Sequence, residues 1–201
     1  REAILTQVNA AFEMLPSEHS GPQTSWWKGS KTRFTGITSF LDAFVGTRIS
    51  GEEFAAMRQL NLRHIFVGLE TGDAELLQWL KKPATPSQML EAVKAAKSGG
   101  VQVGVIVLIG AGGERFFDRH VKQTIELIRA MQLESGDFVY LSPLVDVHGT
   151  EYTQLAQADH IEPLTQARLA EQERLLRAGI NASPVRSGPY VAHYEVANFV
   201  Y

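Results

Sequence analysis

Ile65-Phe66-Val67-Gly68-Leu69-Glu70-Thr71-Gly72 and Val105-Ile106-Val107-Leu108-Ile109-Gly110-Ala111-Gly112-Gly113-Glu114 share one design. Each is an apolar run that stops at glycine and an acid and then enters a helical pattern. A parallel barrel displays its chemistry at the carboxyl ends of its strands. Two such ends in successive units read as one composite ligand site. A carboxylate at Glu70 can accept hydrogen bonds from a ligand's ribose hydroxyls or from an ammonium group. Gly68, on the same face, leaves a gap beneath it. Equally, Glu70 can cap the helix that opens near Thr71–Asp73 and favour its N-terminus. The glycines at 110–113 permit close backbone approach and expose amide N–H groups. They match neither a Walker loop nor Gly-x-Gly-x-x-Gly, so an ordinary strand-to-helix turn stands beside the ligand reading.

Other candidates carry less chemistry. Tyr140-Leu141-Ser142-Pro143-Leu144, followed by His148-Gly149-Thr150, reads by itself as a strand stop and a turn. His120 lies in a helical segment and suits packing. His148, His160 and His193 lack metal-ligand spacing. Trp26 and Trp27 sit in a loop and suit covering a barrel edge better than stacking on a substrate. Arg168, Glu171, Glu173, Arg174 and Arg177 form a solvated, ion-paired helix face.

The elements that must position these residues are strand-helix units. Residues 1–15 have helical spacing of Ile4, Leu5, Val8, Phe12 and Leu15. Strands are expected at Arg33–Ser39, His64–Glu70, Val101–Ile109 and Asp137–Ser142. The second is apolar on both faces, as a strand covered on both sides of a parallel sheet should be. Helices are expected at Phe40–Val45, from Ser50 through Leu60, over Asp73–Lys81, from Thr85 to Gly99-Gly100, over Arg115–Met131 and over Pro163–Ala178. Ser50 is a plausible N-cap. Thr85-Pro86-Ser87-Gln88 is a capping box with proline at the first helical position. Pro143–Glu162 reads as a long loop. The fold class is therefore α/β, a partial parallel (β/α) barrel of four units over residues 1–180, with a tail at 181–201 packing on it. Four strands cannot close an eight-stranded barrel. The chain begins at Arg1 inside a helix-like segment with no strand before it, so a piece of a larger barrel is expected.

Composition narrows the function. The net charge of −3 gives no electrostatic case for nucleic acid or an anionic membrane. With no cysteine, the chain offers no disulfide, no thiolate zinc site and no cysteine-ligated cluster. The longest apolar run, Val101 to Ala111, is too short to span a bilayer. No secretory pattern opens the chain, and a cytoplasmic location is expected.

Taken in order, the segments resemble the radical S-adenosylmethionine (radical SAM) enzymes, in the branch of oxygen-independent coproporphyrinogen oxidases and Elongator-type proteins. The carrying residues are Val67-Gly68-Leu69-Glu70-Thr71-Gly72, then Leu80-Lys81-Lys82 with Thr85, then Ala95-Ala96-Lys97-Ser98-Gly99-Gly100 before Val101-Gln102-Val103. They continue with Leu108-Ile109-Gly110-Ala111-Gly112-Gly113-Glu114, His120 and Thr124, Leu141-Ser142-Pro143-Leu144 with Gly149-Thr150, and His193 with Asn198. The resemblance implies a (β/α)₆ TIM-like barrel of which this chain holds strands three to six. It implies S-adenosyl-L-methionine as cofactor and, in the intact parent only, a 4Fe-4S cluster whose three-cysteine motif is absent here.

The resemblance places Glu70, with Thr71 and Gly72, at the ribose or amino-acid part of the cofactor. Leu108, Ile109 and Gly110 are placed on its adenine side and Tyr140, Leu141 and Ser142 opposite, with Ser39 a weaker contact. The family's Gly-x-Ile-x-Gly-x-x-Glu motif is imperfect: Ile106 replaces the first glycine and Gly113 replaces the acid. The chain alone, lacking the cluster, is expected to be inactive, and the open edges of its sheet favour self-association. Two rivals stand: a phosphate-binding βα-barrel enzyme using the Gly110–Gly113 loop, and a cluster-free barrel acting as a binding or assembly module.

Overall fold

Small polar residues start the helices that set the frame. The computed structural model describes residues 2–13, 35–41, 48–145, 149–182 and 188–193. Trp26, Trp27, His148, Asn198 and the expected helix at 40–45 beyond Leu41 lie outside these residues. Helix α1 (Glu2–Glu13) precedes strand β1 (Ile37–Leu41). Helix α2 (Gly51–Gln59) starts at a Ser50/Glu53 capping box. Strand β2 (Leu62–Glu70) leads to the short helix α3 (Ala74–Trp79), capped by Asp73. Helix α4 (Pro86–Ser98) has the expected Thr85/Gln88 box, with both reciprocal bonds formed. Strand β3 (Gln102–Ile109), helix α5 (Gly113–Ala130) and strand β4 (Phe138–Pro143) follow.

Three elements depart from the sequence expectation. Helix α6 (Glu151–Ala158) occupies part of the segment expected as a loop. Its apolar stripe is only Tyr152, Leu155 and Ala156, and it starts on a Thr150 cap. Helix α7 (Gln166–Asn181) runs through Gly179 instead of ending there. Arg129 Nη2 donates to the Gly179 carbonyl at 2.8 Å, and Ile125 fills the space a β-carbon would take. The tail supplies a fifth strand, β5 (Tyr190–His193), too short for its alternation to stand out.

All five strands are parallel, in the order β1-β2-β3-β4-β5, and the sheet is not closed. Arg177 Nη1 donates to the Val191 carbonyl at 2.7 Å, which fastens β5 to α7. The core lies between the helices and one face of the sheet. Leu69, Val103, Val105, Val107, Val139 and Leu141 are fully buried there with Val93, Ala96 and Leu176. Valine dominates because a β-branched side chain packs well on a pleated surface. Among the described residues, no helix is long and apolar enough to cross a membrane.

The opposite, inner face is arranged in rows across the strands. One row reads Phe40, Phe66, Gly104, Phe138 and Tyr190 from β1 to β5. Its glycine is a packing requirement. Phe66 lies across Gly104 and meets Tyr140 with ring centroids 5.6 Å apart. A β-carbon on Gly104 would stand 2.2 Å from two Phe66 ring carbons. Gly104→Ala must therefore push the Phe66 ring aside, at a cost of about 1–3 kcal/mol. Urea unfolding of the variant checks this. An unchanged midpoint would show that Phe66 does not lie over β3.

Candidate functional site: the carboxyl ends of the sheet

Above the aromatic row the inner face becomes hollow. The next row reads Gly68, Ile106, Tyr140 and Ala192, so two small residues flank one aliphatic and one aromatic side chain. Leu108 and Ser142 pair on the row above; Ser142 is buried and Leu108 packs against the cluster of Leu76, Ala111 and Phe116. Aromatic rings thus form a floor; above it Ala192 adds only a methyl, and the place beside Gly68 is taken by the Glu70 carboxylate.

Glu70 closes one side of this hollow through an unusual backbone. The register between β2 and β3 shifts between Gly68 and Glu70, a bulge at the strand's end. Glu70 has φ 60°, and the Thr71 amide donates to the Leu69 carbonyl at 2.7 Å. This is a γ-turn with a glutamate at its centre in the left-handed region, costing about 1–2 kcal/mol in a residue with a side chain. The turn sends the carboxylate back over the strand. Its Oε1 lies 2.7 Å from where a Gly68 β-carbon would be. Lys82 Nζ donates to the same Oε1 at 2.8 Å. The Glu70 side chain is only 12% exposed, so this ion pair is largely shielded on its acidic side.

Immediately after Glu70 the chain turns away into the helix layer. Thr71 is fully buried and its Oγ1 lies 2.7 Å from His120 Nδ1. The Gly72 amide donates to Thr124 Oγ1 at 2.8 Å. Asp73, not Glu70, caps α3: its Oδ1 accepts from the amides of Glu75 and Leu76. Arg119 pairs with the buried Asp73 carboxylate at 2.8 Å and also with Glu75. Burial drives the imidazole of His120 down to about 4, against weaker opposition from the Asp73 charge and the Leu108 carbonyl. At neutral pH the ring is uncharged.

The glycine loop is closed by other parts of the chain. The Gly110 amide donates to Gln172 Oε1 at 2.8 Å and the Gly112 amide to the Tyr152 hydroxyl at 3.1 Å. Gly113 donates to the Gly110 carbonyl and Glu114 to the Glu162 carbonyl. These four N–H groups are spent inside the protein, so they form no open cradle for a phosphate.

Comparison with known proteins bears on this arrangement. The family model for the radical SAM superfamily matches residues 36–128. A solved archaeal Elp3 from Methanocaldococcus infernus superimposes on 82% of the chain with a TM-score of 0.57 at 14% identity. Residues 36–128 thus resemble the radical SAM superfamily. The chain's open five-stranded parallel sheet shares the fold of that Elp3 structure. An uncharacterized methyltransferase of Pyrococcus horikoshii is 26% identical over 97 residues. A solved methylornithine synthase matches 72% of the chain with a TM-score of 0.46 at 16% identity. The chain spans 21% of the length of the Pyrococcus protein and 36% of the Elp3 chain.

Within this sheet, the residues expected at the site separate into two groups. Glu70, Leu108, Tyr140 and Ser142 come together on the inner face or at its mouth, with Gly110 at the end of β3. Ile109 and Leu141 point the other way, into the helix-side core. Thr71 and Gly72 are used on α5. Ser39 shares the helix-side parity of Ile37 and Leu41, which pack on the core. Lys82 joins the site although the sequence marked it only as part of a motif. Lys81, its neighbour, pairs instead with Glu151, and nothing in a Lys-Lys step tells which lysine reaches Glu70. Among the described residues, no cluster of histidine and acidic side chains is placed to hold a metal.

Two outcomes follow from the geometry. Both Glu70→Gly and Glu70→Ala remove the ion pair, but only glycine relieves the left-handed strain. Glu70→Gly should be the more stable of the two by about 1 kcal/mol in chemical unfolding. Equal stability would show that Glu70 is not held at positive φ. The His120 contribution is complete above the ordinary histidine pKa of 6.5 and is lost as pH falls toward about 4, because only the unfolded ring takes up a proton there. Wild type should therefore lose about 3 kcal/mol more than His120→Gln between pH 7 and 4. Parallel stability curves would mean that the ring protonates freely in the fold.

Proposed function

We propose that this chain forms one wall of the S-adenosylmethionine site of a radical SAM enzyme. The observation that carries the reading is the Glu70 carboxylate folded over Gly68 with Lys82 on the same oxygen. An amino-acid end bears an ammonium and a carboxylate a few ångströms apart. Glu70 accepts from the ammonium and Lys82 donates to the carboxylate, so a ligand inserted between them exchanges one ion pair for two. Ile106 and Leu108 offer an apolar surface to a flat base, with Tyr140 and Ser142 on the neighbouring strand. The hollow above the aromatic floor gives that base room.

The fit to the cluster is different. Superfamily chemistry uses an electron from a 4Fe-4S cluster to cleave the cofactor's sulfonium. This chain has no cysteine, so its residues do not fit the cluster and it is assigned no step through one. In this reading the cluster is held by residues outside these 201, and the chain's own part is to bind and orient the nucleoside and amino-acid ends. The closed amides of the glycine loop speak against the phosphate-binding alternative.

Nuclear magnetic resonance titration with S-adenosylmethionine tests the proposal. One wall should bind with a dissociation constant of about 1 mM or weaker, about 4 kcal/mol. Glu70→Gln, which keeps the size and loses the charge, should weaken binding roughly tenfold. Equal affinity of variant and wild type, or micromolar affinity of wild type, would contradict this assignment.

A further inference from the structure

The Glu70 turn is unfavourable by itself, so something outside it must hold it. Lys82 is not the main support, because its side chain is 40% exposed and a water-screened ion pair contributes little. The fixed contacts come instead from the next two residues. Thr71 is fully buried, accepts the Asp73 amide at 3.0 Å and meets the neutral His120 ring at 2.7 Å. The hydroxyl accepts the Asp73 amide and shares a second hydrogen bond with Nδ1, whose direction follows the tautomer of the neutral ring. Gly72 approaches α5 so closely that a β-carbon would lie 2.3 Å from the Gln123 carbonyl oxygen. Its amide is taken by Thr124, one turn beyond His120 on the same face of α5.

We infer that His120 and Thr124 of α5, acting through Thr71 and Gly72, are positioning residues that hold Glu70 in its left-handed turn and its carboxylate over Gly68. The inference rests on the proposed role of Glu70 for its functional meaning. The positioning itself is a separate claim about this chain. Pinning residues 71 and 72 to α5 fixes where the chain leaves the sheet. Glu70 is the one residue left to absorb the change of direction between β2 and α3. Its left-handed φ keeps the carboxylate on the inner face while the backbone moves to the outer layer. An extended Glu70 would carry Thr71 out of reach of His120. Helix α5 is thus coupled to the mouth of the hollow by two hydrogen bonds whose side chains never enter it.

The test is a comparison of Thr71→Val with Thr71→Ser in the full chain. Valine keeps the shape and removes the hydroxyl, and serine keeps the hydroxyl. The first readout is the Glu70 backbone, from its amide-to-Hα coupling and its Cα and Cβ shifts, which separate left-handed from extended conformers. Valine should move Glu70 out of the left-handed conformer and serine should retain it. The second readout is S-adenosylmethionine titration, where valine should weaken binding about tenfold and serine should stay near wild type. Thr124→Val, which removes the Gly72 acceptor, provides an independent second variant if Thr71→Val does not fold. A folded Thr71→Val or Thr124→Val with Glu70 unmoved overturns the inference. Loss of the left-handed conformer without any wild-type binding would support the positioning and overturn the cofactor assignment instead.

Discussion

The γ-turn at Glu70 is the constraint on which the site depends. A buried parallel strand must hand its chain to the outer helix layer, and its last inward side chain must stay behind. Here the transfer takes one left-handed residue. The hydroxyl of Thr71 and the amide of Gly72 are bound by α5, which fixes the exit, while the strand's ladder to β3 fixes the entry. Between them Glu70 has no extended alternative. Strained backbone survives only where its surroundings over-determine it, and at a strand end beside a hollow it stores orientation for a side chain.

The rest of the inner face makes that orientation useful. Phe66 reaches Tyr140 because Gly104 lets its ring lie across β3, and Phe138 stacks on Tyr140 with centroids 5.8 Å apart. The floor is therefore continuous and stiff. Above it, Gly68 makes room for the Glu70 carboxylate on one side of Ile106, and Ala192 adds only a methyl beside Tyr140. A carboxylate and a lysine stand at one edge, with a serine on the far strand. This combination of apolar floor, small-residue hollow and few polar groups at the rim is the usual build of a small-molecule site. The glycine loop offers few donors, since α6, α7 and the segment joining them take the amides of Gly112, Gly110 and Glu114, and Gly113 bonds back to Gly110.

Much of this was legible in the residues. A strand apolar on both faces, the Ser50 cap and the Thr85–Gln88 capping box pointed to the βα repeat and its parallel sheet; the Ser50/Glu53 box itself emerged only in the structure. The shared parity of His64, Phe66, Gly68 and Glu70 put the acid above a gap, which is where its carboxylate lies. The same alternation separates Leu108 from Ile109 and Tyr140 from Leu141, so grouping them as neighbours in sequence placed half of them on the wrong face of the sheet. Thr71 and Gly72 suit a ligand as readily as a helix contact, and only the position of α5 decides. Helix α6 and strand β5 are too short and too weakly patterned to appear in a periodicity. The left-handed φ at Glu70 was invisible because glutamate gives no local signal for it; the cause is a tertiary contact fifty residues downstream in the chain, on α5.

The most direct test of the account is a residue-by-residue map of amide shifts as S-adenosylmethionine is added to the labelled chain. The account predicts that the largest changes centre on Gly68, Glu70, Ile106, Leu108 and Ser142, with Lys82 included and the Gly112–Glu114 amides nearly silent. Changes centred on the glycine loop, or on the helix-side surface away from Glu70, would contradict it.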